Sequence, residues 1–279
     1  MKGRHVTDTA FRILGILLVA VFAVITVVPL AQAVMIAIKP VGEFTMNPTG
    51  FPRQIRLLNF VDAWNQSSFG VLFVNTFLVT AATVVLVIAL SSPAGFALSK
   101  LRLKGEKLIY NYFLLGLIIP FQAIMIPLLK TANTLHATNM LTTLIVLYTG
   151  MNIAFPILIY TGFYKSLPYE IVEAARIDGC GTFKLFMRII FPMTHSVNMT
   201  VMIFTAMMPW RDFFVPLIFV NENAKRTLSV GLFSFQKSYF TEWTTTFAMV
   251  IMMSLPLILL YVFAQKSFIK GITAGAVKG

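Results

Sequence analysis

Residues Glu173-Ala174-Ala175-Arg176-Ile177-Asp178-Gly179 form a polar, helix-competent stretch between two long apolar runs. Ile189 follows ten residues after the glycine, and Pro192 closes the segment. The chain of 279 residues is 58% hydrophobic and only 11% charged, whereas an ordinary soluble domain has roughly 25% charged residues. This composition excludes an ordinary globular domain and predicts an integral membrane protein in which the 173–179 stretch meets water.

Six apolar runs are long enough to cross a bilayer, whose hydrocarbon core of about 30 Å needs roughly 20 helical residues. Their continuous character favours helices over the alternating strands of a barrel. The first run is too long for the apolar part of a signal peptide, so we expect it to be retained. We predict an all-α integral membrane fold in a single domain, 1–279, with spans at about 11–38, 69–98, 108–129, 140–164, 193–220 and 247–268, a loop at 165–192 and a tail at 269–279.

Lysine and arginine residues predict the orientation of these spans. With the N-terminus inside, the cytoplasmic side holds 14 of them and the outer loops hold seven, with Arg211 set aside inside the fifth span. The positive-inside rule then places both termini and the 165–192 loop in the cytoplasm. The net charge of +12 is spread over short loops beside anionic headgroups, which argues against nucleic-acid binding.

The first half of the 165–192 loop predicts a short helix. Pro168 suits the first turn of a helix, where its missing N–H is not needed. Glu170 and Glu173 favour the positive end of the helix dipole. The helix is expected to run to about Asp178.

The second half predicts a turn and another helix. Gly179 and Gly181 are expected to supply left-handed backbone for the turn. Thr182 is expected to cap a helix with an apolar face made of Phe183, Phe186, Met187 and Ile190. Such a hairpin could lie in the headgroups or dock onto a soluble partner. The small residues Ala174 and Ala175, together with the two glycines, favour docking because they permit close backbone approach.

The spacing of Glu173, Ala174, Ala175, Gly179, Ile189 and Pro192 resembles the cytoplasmic coupling loop of binding-protein-dependent ABC importer permeases. Phe191 stands where leucine is usual in that family. The tail 265–279 and the segment 210–217 are similar to the carbohydrate-importer permeases of the type of the second membrane subunit of maltose transporters. Arg211 departs from that pattern, which more often has asparagine.

This resemblance implies a type I ABC importer permease fold in a bacterial or archaeal cytoplasmic (inner) membrane. It implies a second homologous permease subunit, two cytoplasmic ATPase subunits and an extracytoplasmic sugar-binding protein as partners, the last contacting the outer loop 221–243. The coupling residues implied are Glu173, Ala174, Ala175, Asp178, Gly179, Ile189 and Pro192. The tail residues implied to contact the ATPase are Thr273, Ala274, Gly275, Lys278 and Gly279.

The chain itself lacks a recognisable nucleotide site. The segment 162–166 has a lysine and a serine but not the glycine-rich backbone that holds phosphates, and residues 179–181 lack the third glycine of a dinucleotide site. We therefore predict that the chain is not an enzyme and has no cofactor, and that ATP and Mg²⁺ bind the partner ATPase. Cys180 is the only cysteine, which excludes an internal disulfide and a cysteine metal site.

Polar residues inside the spans are candidates for the solute path, because such residues usually face the bundle interior or a water-filled cavity. They are Asn75, Gln122, Asn152, Asn198, Trp210, Arg211 and Asp212. For the amides, an interhelical hydrogen bond is the alternative. For Trp210 and Arg211, the alternative is an anchor in the outer headgroups. Pro209 and Pro216 predict a kinked or broken helix at this place.

The function predicted is that of a permease subunit of an ATP-driven sugar importer, forming half of the pathway. The alternative is a secondary transporter or channel for a small polar solute. Ion-coupled transporters usually carry acidic groups at mid-membrane, whereas the centres of the predicted spans carry none. The sequence does not identify the solute.

Overall fold

A computed structural model describes the backbone of residues 2–101, 103–238 and 242–276, and the side chains of 11–101, 103–235 and 242–265. These residues form helices and connecting loops. In chain order the α-helices are α1 (Lys2–Ala37), α2 (Val41–Met46), α3 (Leu58–Gln66), α4 (Phe69–Lys100), α5 (Glu106–Gly116), α6 (Phe121–Thr134), α7 (Leu141–Asn152), α8 (Ala154–Ser166), α9 (Glu170–Ile177), α10 (Thr182–Leu185), α11 (His195–Arg211), α12 (Phe214–Phe219), α13 (Leu228–Ser238) and α14 (Trp243–Ala276).

Within the described residues, four helical stretches are long and apolar enough to cross a membrane on their own: Phe11–Ala37, Phe69–Lys100, Thr182–Arg211 and Trp243–Gln265. Two bent helix pairs bring the number to six if each pair is one span. The all-α fold class predicted from the sequence is therefore confirmed.

The third and fourth predicted spans are not straight helices. Helices α5 and α6 meet at an angle of 92°, because Pro120 excludes the helical conformation at the residue before it and itself has an extended ψ of 134°. Helices α7 and α8 are bent by 47°. Pro156 lies in the first turn of α8, where its ring would clash with the carbonyl of Asn152 in an uninterrupted helix.

The fifth predicted span, 193–220, differs at both ends. Upstream, the helical path continues from α10 through a π-helical segment, Phe186–Ile190, and a 3-10 turn, Phe191–Thr194, into α11. Downstream, it breaks between α11 and α12 at Asp212, whose backbone is extended. The interruption predicted near Pro209 and Pro216 is thus present. The irregular segment upstream coincides with Pro192, which lacks the N–H that would bind the carbonyl of Arg188.

The contacts within the structure group the chain into two compact units. One contains the residues up to Phe69 together with Leu232–Ser254, and the other contains Gly70–Gly231 together with the residues from Leu255. In the second unit, α4, α8, α9 and α11 contribute to one buried apolar cluster, here called the inner cluster: Val87, Phe96, Tyr160, Tyr164, Val172, Ala175, Leu185, Phe186, Ile190, Val197 and Val201.

In the first unit, the segment after α1 is organised by a buried lysine. The Nζ of Lys39 donates hydrogen bonds to the carbonyl oxygens of Asn47 at 2.8 Å and Gly50 at 2.6 Å. The Glu43 carboxylate accepts hydrogen bonds from the main-chain N–H groups of Arg53 and Gln54. These bonds, that of Arg53 above all, hold the pKa of Glu43 below its usual value.

Candidate functional site

The polar stretch at 173–179 folds largely as part of α9, which leaves α8 through a sharp elbow. Leu167 ends α8 with extended backbone, φ −71° and ψ 139°, because it precedes Pro168. Tyr169 then begins α9, and its carbonyl oxygen accepts hydrogen bonds from the N–H groups of Val172 at 2.9 Å and Glu173 at 3.1 Å. The helix ends at Ile177, one residue before the predicted end.

A glycine in the left-handed conformation closes α9. Gly179 has φ +76°, and its N–H donates to the carbonyl of Arg176 at 3.0 Å. The N–H of Cys180 donates to the carbonyl of Ala175 at 2.9 Å. This pair of bonds is a Schellman motif, which satisfies the last carbonyls of the helix and fixes the direction of the chain after it.

Two details of the predicted turn are wrong. Gly181 does not supply left-handed backbone, since its φ and ψ are −65° and 157°. It also occupies the N-cap position of α10 that was predicted for Thr182. Gly179 alone therefore makes the reversal, and Gly181 extends the chain into α10.

The predicted apolar face of the second helix is also corrected. Phe186 and Ile190 are buried in the inner cluster together with Leu185, whereas Phe183 and Met187 are exposed. Met187 lies within the π-helical segment Phe186–Ile190, whose wider turn departs from the 3.6-residue period used for the prediction, whereas Phe183 lies before it in the first turn of α10.

Helix α9 has one buried and one exposed face. Val172 and Ala175 are buried against the inner cluster, so Ala175 is a packing residue among the predicted coupling residues. Glu173, Ala174, Asp178 and Gly179 are exposed, as is Pro192, while Ile189 is half-buried.

Two large apolar side chains next to the turn are strongly exposed, and one of them, Ile177, was not singled out from the sequence. Ile177 is 86% exposed and Phe183 is 79% exposed. They lie on either side of Gly179 in the chain, one at the end of α9 and the other at the start of α10. The sequence did indicate their exposure, because both apolar residues adjoin a polar turn that is expected to face water.

The joint between α4 and α8 supports this loop. The Ser92 hydroxyl and the Tyr164 hydroxyl are 2.7 Å apart. A Cβ atom at Gly95 would lie 2.6 Å from the Cβ of Tyr160, so the two helices approach as closely as glycine permits. At the end of α4, the Lys100 Nζ donates to the carbonyl of Leu167 at 2.6 Å.

The tail predicted to contact the ATPase is described only in part. Thr273, Ala274 and Gly275 lie in the last turns of α14, and their side chains are not described. Lys278 and Gly279 lie outside the described residues.

Three of the amides predicted for the solute path make hydrogen bonds within the chain. The Nδ2 of Asn75 donates to the carbonyls of Ala224 at 2.9 Å and Arg226 at 3.0 Å. The Nδ2 of Asn152 donates to the carbonyl of Tyr148 at 2.8 Å. The Oδ1 of Asn198 accepts a hydrogen bond from the Tyr160 hydroxyl at 2.5 Å.

The remaining candidates differ in exposure. Gln122 is exposed in the first turn of α6, next to the 92° bend, and Arg211 is exposed at the end of α11. The Asp212 carboxylate accepts hydrogen bonds from the Tyr148 hydroxyl at 2.9 Å and from the N–H groups that begin α12. Trp210 is only 4% exposed and packs edge-on against Phe73 at 5.8 Å, so its ring contacts the protein interior.

Comparison with known proteins gives a family match over most of the chain. Residues 88–274 match the family described as "Binding-protein-dependent transport system inner membrane component". The match includes the elbow, α9, the glycine turn and both bent helix pairs.

Individual relatives cover nearly the whole chain. The probable ABC transporter permease protein YurM of Bacillus subtilis is 34% identical over 90% of this chain and 83% of its own length. The probable starch degradation products transport system permease protein AmyC of Thermoanaerobacterium thermosulfurigenes is 28% identical over 100% of both chains. A crystal structure of a bacterial ABC transporter involved in the import of the acidic polysaccharide alginate matches with a TM-score of 0.82, covering 94% of this chain and 98% of that chain at 21% identity. This last similarity shows the fold.

Proposed function

The chain belongs to the family of inner membrane components of binding-protein-dependent transport systems, and on that premise we propose that it is a permease subunit of an ATP-driven sugar importer. In this proposal the loop 165–192 receives the motion of a separate ATPase and passes it to the spans. The observation that carries the proposal is the two-faced α9, with one face buried in the inner cluster and the other exposed beside Ile177 and Phe183.

Family membership sets aside the secondary transporter or channel as the alternative. As a membrane component, the chain is not an enzyme, and it works with an ATPase and a binding protein in one transport system. We further propose two ATPase subunits, which bind ATP and Mg²⁺, and a second homologous permease that supplies the other half of the pathway.

The exposed face of α9 has the chemistry of a docking surface for a soluble protein. Ile177 and Phe183 offer apolar area, and full burial of such side chains typically contributes about 1.5–3 kcal/mol each. Glu173, Ala174, Asp178 and Gly179, which are exposed in the same stretch of chain, add small or acidic groups. The Schellman motif at Gly179 keeps the two apolar side chains at a fixed separation, so an approaching ATPase would meet a preformed surface.

The buried face explains how motion would reach the membrane. Val172 and Ala175 pack with residues of α4, α8 and α11 in the inner cluster. Protein interiors are close-packed and transmit displacement rather than absorbing it. A movement imposed on α9 would therefore displace the inner ends of these helices together.

The orientation proposed places this loop and both termini in the cytoplasm, following the excess of lysine and arginine on that side. Residues Thr273, Ala274, Gly275, Lys278 and Gly279 would then be on the side of the ATPase. The outer segments 39–68 and 221–246 would face the binding protein.

The solute class proposed is a sugar or oligosaccharide. AmyC is named for starch degradation products and the structural neighbour for an acidic polysaccharide, and both are carbohydrates. Among the polar candidates, Gln122 is the best placed to meet a solute, because it is exposed at the bend of a broken helix pair. Asn75, Asn152, Asn198 and Asp212 already make hydrogen bonds within the chain, and Trp210 and Arg211 are proposed as further contacts.

The docking proposal is tested by purification of the assembled transporter. The double variant Ile177→Ser/Phe183→Ser should retain the permease in the membrane, because neither side chain is buried, but it should lose most of the co-purifying ATPase. Lys184→Ser is the matched control, since Lys184 is also exposed in α10. Full retention of the ATPase by the double variant would refute this docking surface.

A further inference from the structure

We infer that Lys100 is a positioning residue for the coupling loop, holding the elbow between α8 and α9 so that α4 and the loop move as one body. This inference rests on the proposed function of the loop. It concerns a residue outside the 165–192 segment, 67 positions before its contact at Leu167.

The burial and bonding of Lys100 set it apart from an ordinary basic residue at a membrane boundary. Its side chain is 5% exposed, whereas a lysine at the end of a span normally extends its ammonium into water. The Nζ instead donates to the carbonyl of Leu167 at 2.6 Å and lies 5.8 Å from the centre of the Tyr169 ring. One cation thus contacts the residues on both sides of Pro168.

The elbow needs such a contact. Leu167 is turned out of the helix by Pro168, so its carbonyl points away from the hydrogen bonds of α8 and requires another donor. The end of a helix also carries partial negative charge, which favours a cation. Tyr169 is the N-cap residue of α9, and its ring centre lies 5.8 Å from the ammonium, within the range of a cation–π contact.

Lys100 completes a row of contacts along one face of α4. Ser92, Phe96 and Lys100 are spaced at i, i+4 and i+8, and therefore lie on the same side of the helix. Ser92 bonds to the hydroxyl of Tyr164, and Phe96 packs edge-on against the ring of Tyr164 at 5.9 Å. The first two contacts hold α8 itself, and only Lys100 in this row reaches past its end to the start of α9.

The single cysteine of the chain allows the inference to be tested directly. Cys180 follows the glycine turn and packs in part against the inner cluster, so its reaction with a maleimide reports how often the loop opens. The assembled transporter would be labelled without nucleotide, and the Cys180 peptide would be followed by mass spectrometry. Lys100→Met should accelerate labelling about three- to tenfold, because the partly buried carbonyl of Leu167 loses its donor and the elbow opens more often.

Two variants control this measurement. Lys100→Arg keeps a cationic donor and should label nearly as slowly as the natural chain. Lys165→Met removes the other lysine of this region, which is exposed and lies 5.4 Å from the Tyr110 ring, and should leave the rate unchanged. If Lys100→Met does not accumulate in the membrane, Lys100→Gln replaces it in the experiment. The Gln amide is one bond too short to reach Leu167, so this variant should also accelerate the labelling of Cys180.

A second readout separates positioning from simple stability. In proteoliposomes, Lys100→Met should retain the ATPase but hydrolyse more ATP per sugar transported, and Lys100→Arg should restore the natural ratio. Labelling at the natural rate would overturn the anchoring of the elbow, and faster labelling with an unchanged ratio would overturn the positioning role. The two failures are distinguishable: failed docking would show as full ATPase retention by the Ile177 and Phe183 variant, whereas failed anchoring would show as an unchanged Cys180 labelling rate in Lys100→Met.

Discussion

Gly179 is the residue on which the geometry of the loop depends most. Its φ of +76° lies in the left-handed region, where a side chain costs roughly 1–2 kcal/mol. No neighbouring atom lies within 4 Å of a Cβ built there, so the requirement for glycine is one of backbone conformation and not of space.

This distinction predicts different outcomes at the two glycines of the turn. Gly179→Ala should lower uptake several-fold, because the strained turn redirects α10, while the amount of chain in the membrane stays unchanged. Gly181→Ala should have little effect, since Gly181 has an ordinary extended backbone and also has open space around its Cβ position. Uptake of labelled sugar by cells that produce each variant checks both, and equal uptake by the two variants would contradict the role given to the turn.

Lys39 is a second residue whose role depends on its surroundings. The sequence identifies it only as one charge of an outer loop, but its ammonium is buried among main-chain carbonyls that it satisfies. A buried carbonyl left without a donor costs about 1–3 kcal/mol.

Replacing this lysine should therefore loosen the outer segment. Lys39→Met is expected to make residues 39–57 several-fold more sensitive to a protease added outside. Arg53→Met is the control, because it removes a charge from the same segment but keeps the main-chain N–H that bonds to Glu43. Equal protease sensitivity of both variants would show that loss of charge, and not the carbonyl contacts, governs the segment.

At the scale of elements, the pairing of α4 with α8 is the joint that supports the coupling loop. Gly95 allows the backbones to approach, and the contacts at Ser92, Phe96 and Lys100 follow one face of α4. The long apolar runs predicted these helices. Their bends were less visible, because hydropathy is averaged over windows longer than the short breaks at Pro120 and Ile153.

The close approach of α4 and α8 at Gly95 predicts that a single added methyl group lowers the stability of the fold. Gly95→Ala would place a Cβ 2.6 Å from the Cβ of Tyr160 and 3.0 Å from the Thr161 nitrogen, and overpacking of this kind typically costs about 1–3 kcal/mol. The purified variant should lose its folded state at a lower temperature. Gly162→Ala in α8, where the Cβ would meet open space, should be neutral or slightly stabilising. Equal melting temperatures would contradict the close approach.

At the scale of the molecule, composition and the polar stretch were sufficient to predict a membrane permease, because few soluble folds tolerate so little charge. The side-chain assignments were harder to predict. Trp210 was a candidate for the solute path, with an anchor in the outer headgroups as the alternative, and the fold buries it against Phe73. Phe183 and Met187 were expected on one apolar face with Phe186 and Ile190, but both are exposed. For Met187, the period of a regular helix was assumed across a π-helical segment.

Helix α1 presents an exposed apolar surface, which bears on how the whole molecule is covered. Its side chains are exposed from Phe11 to Leu30, so this helix must be covered by lipid or by another subunit. The second permease subunit proposed above would cover part of this surface.

The central claim is that Ile177 and Phe183 face the ATPase, and photo-crosslinking tests it most directly. Phe183→benzoylphenylalanine in the assembled transporter should give a crosslinked product with the ATPase on illumination. Phe51→benzoylphenylalanine is the control, because Phe51 is comparably exposed, at 81%, in the segment assigned to the opposite side of the membrane. The account predicts the ATPase product from position 183 and none from position 51, and an ATPase product from position 51 with none from position 183 would contradict it.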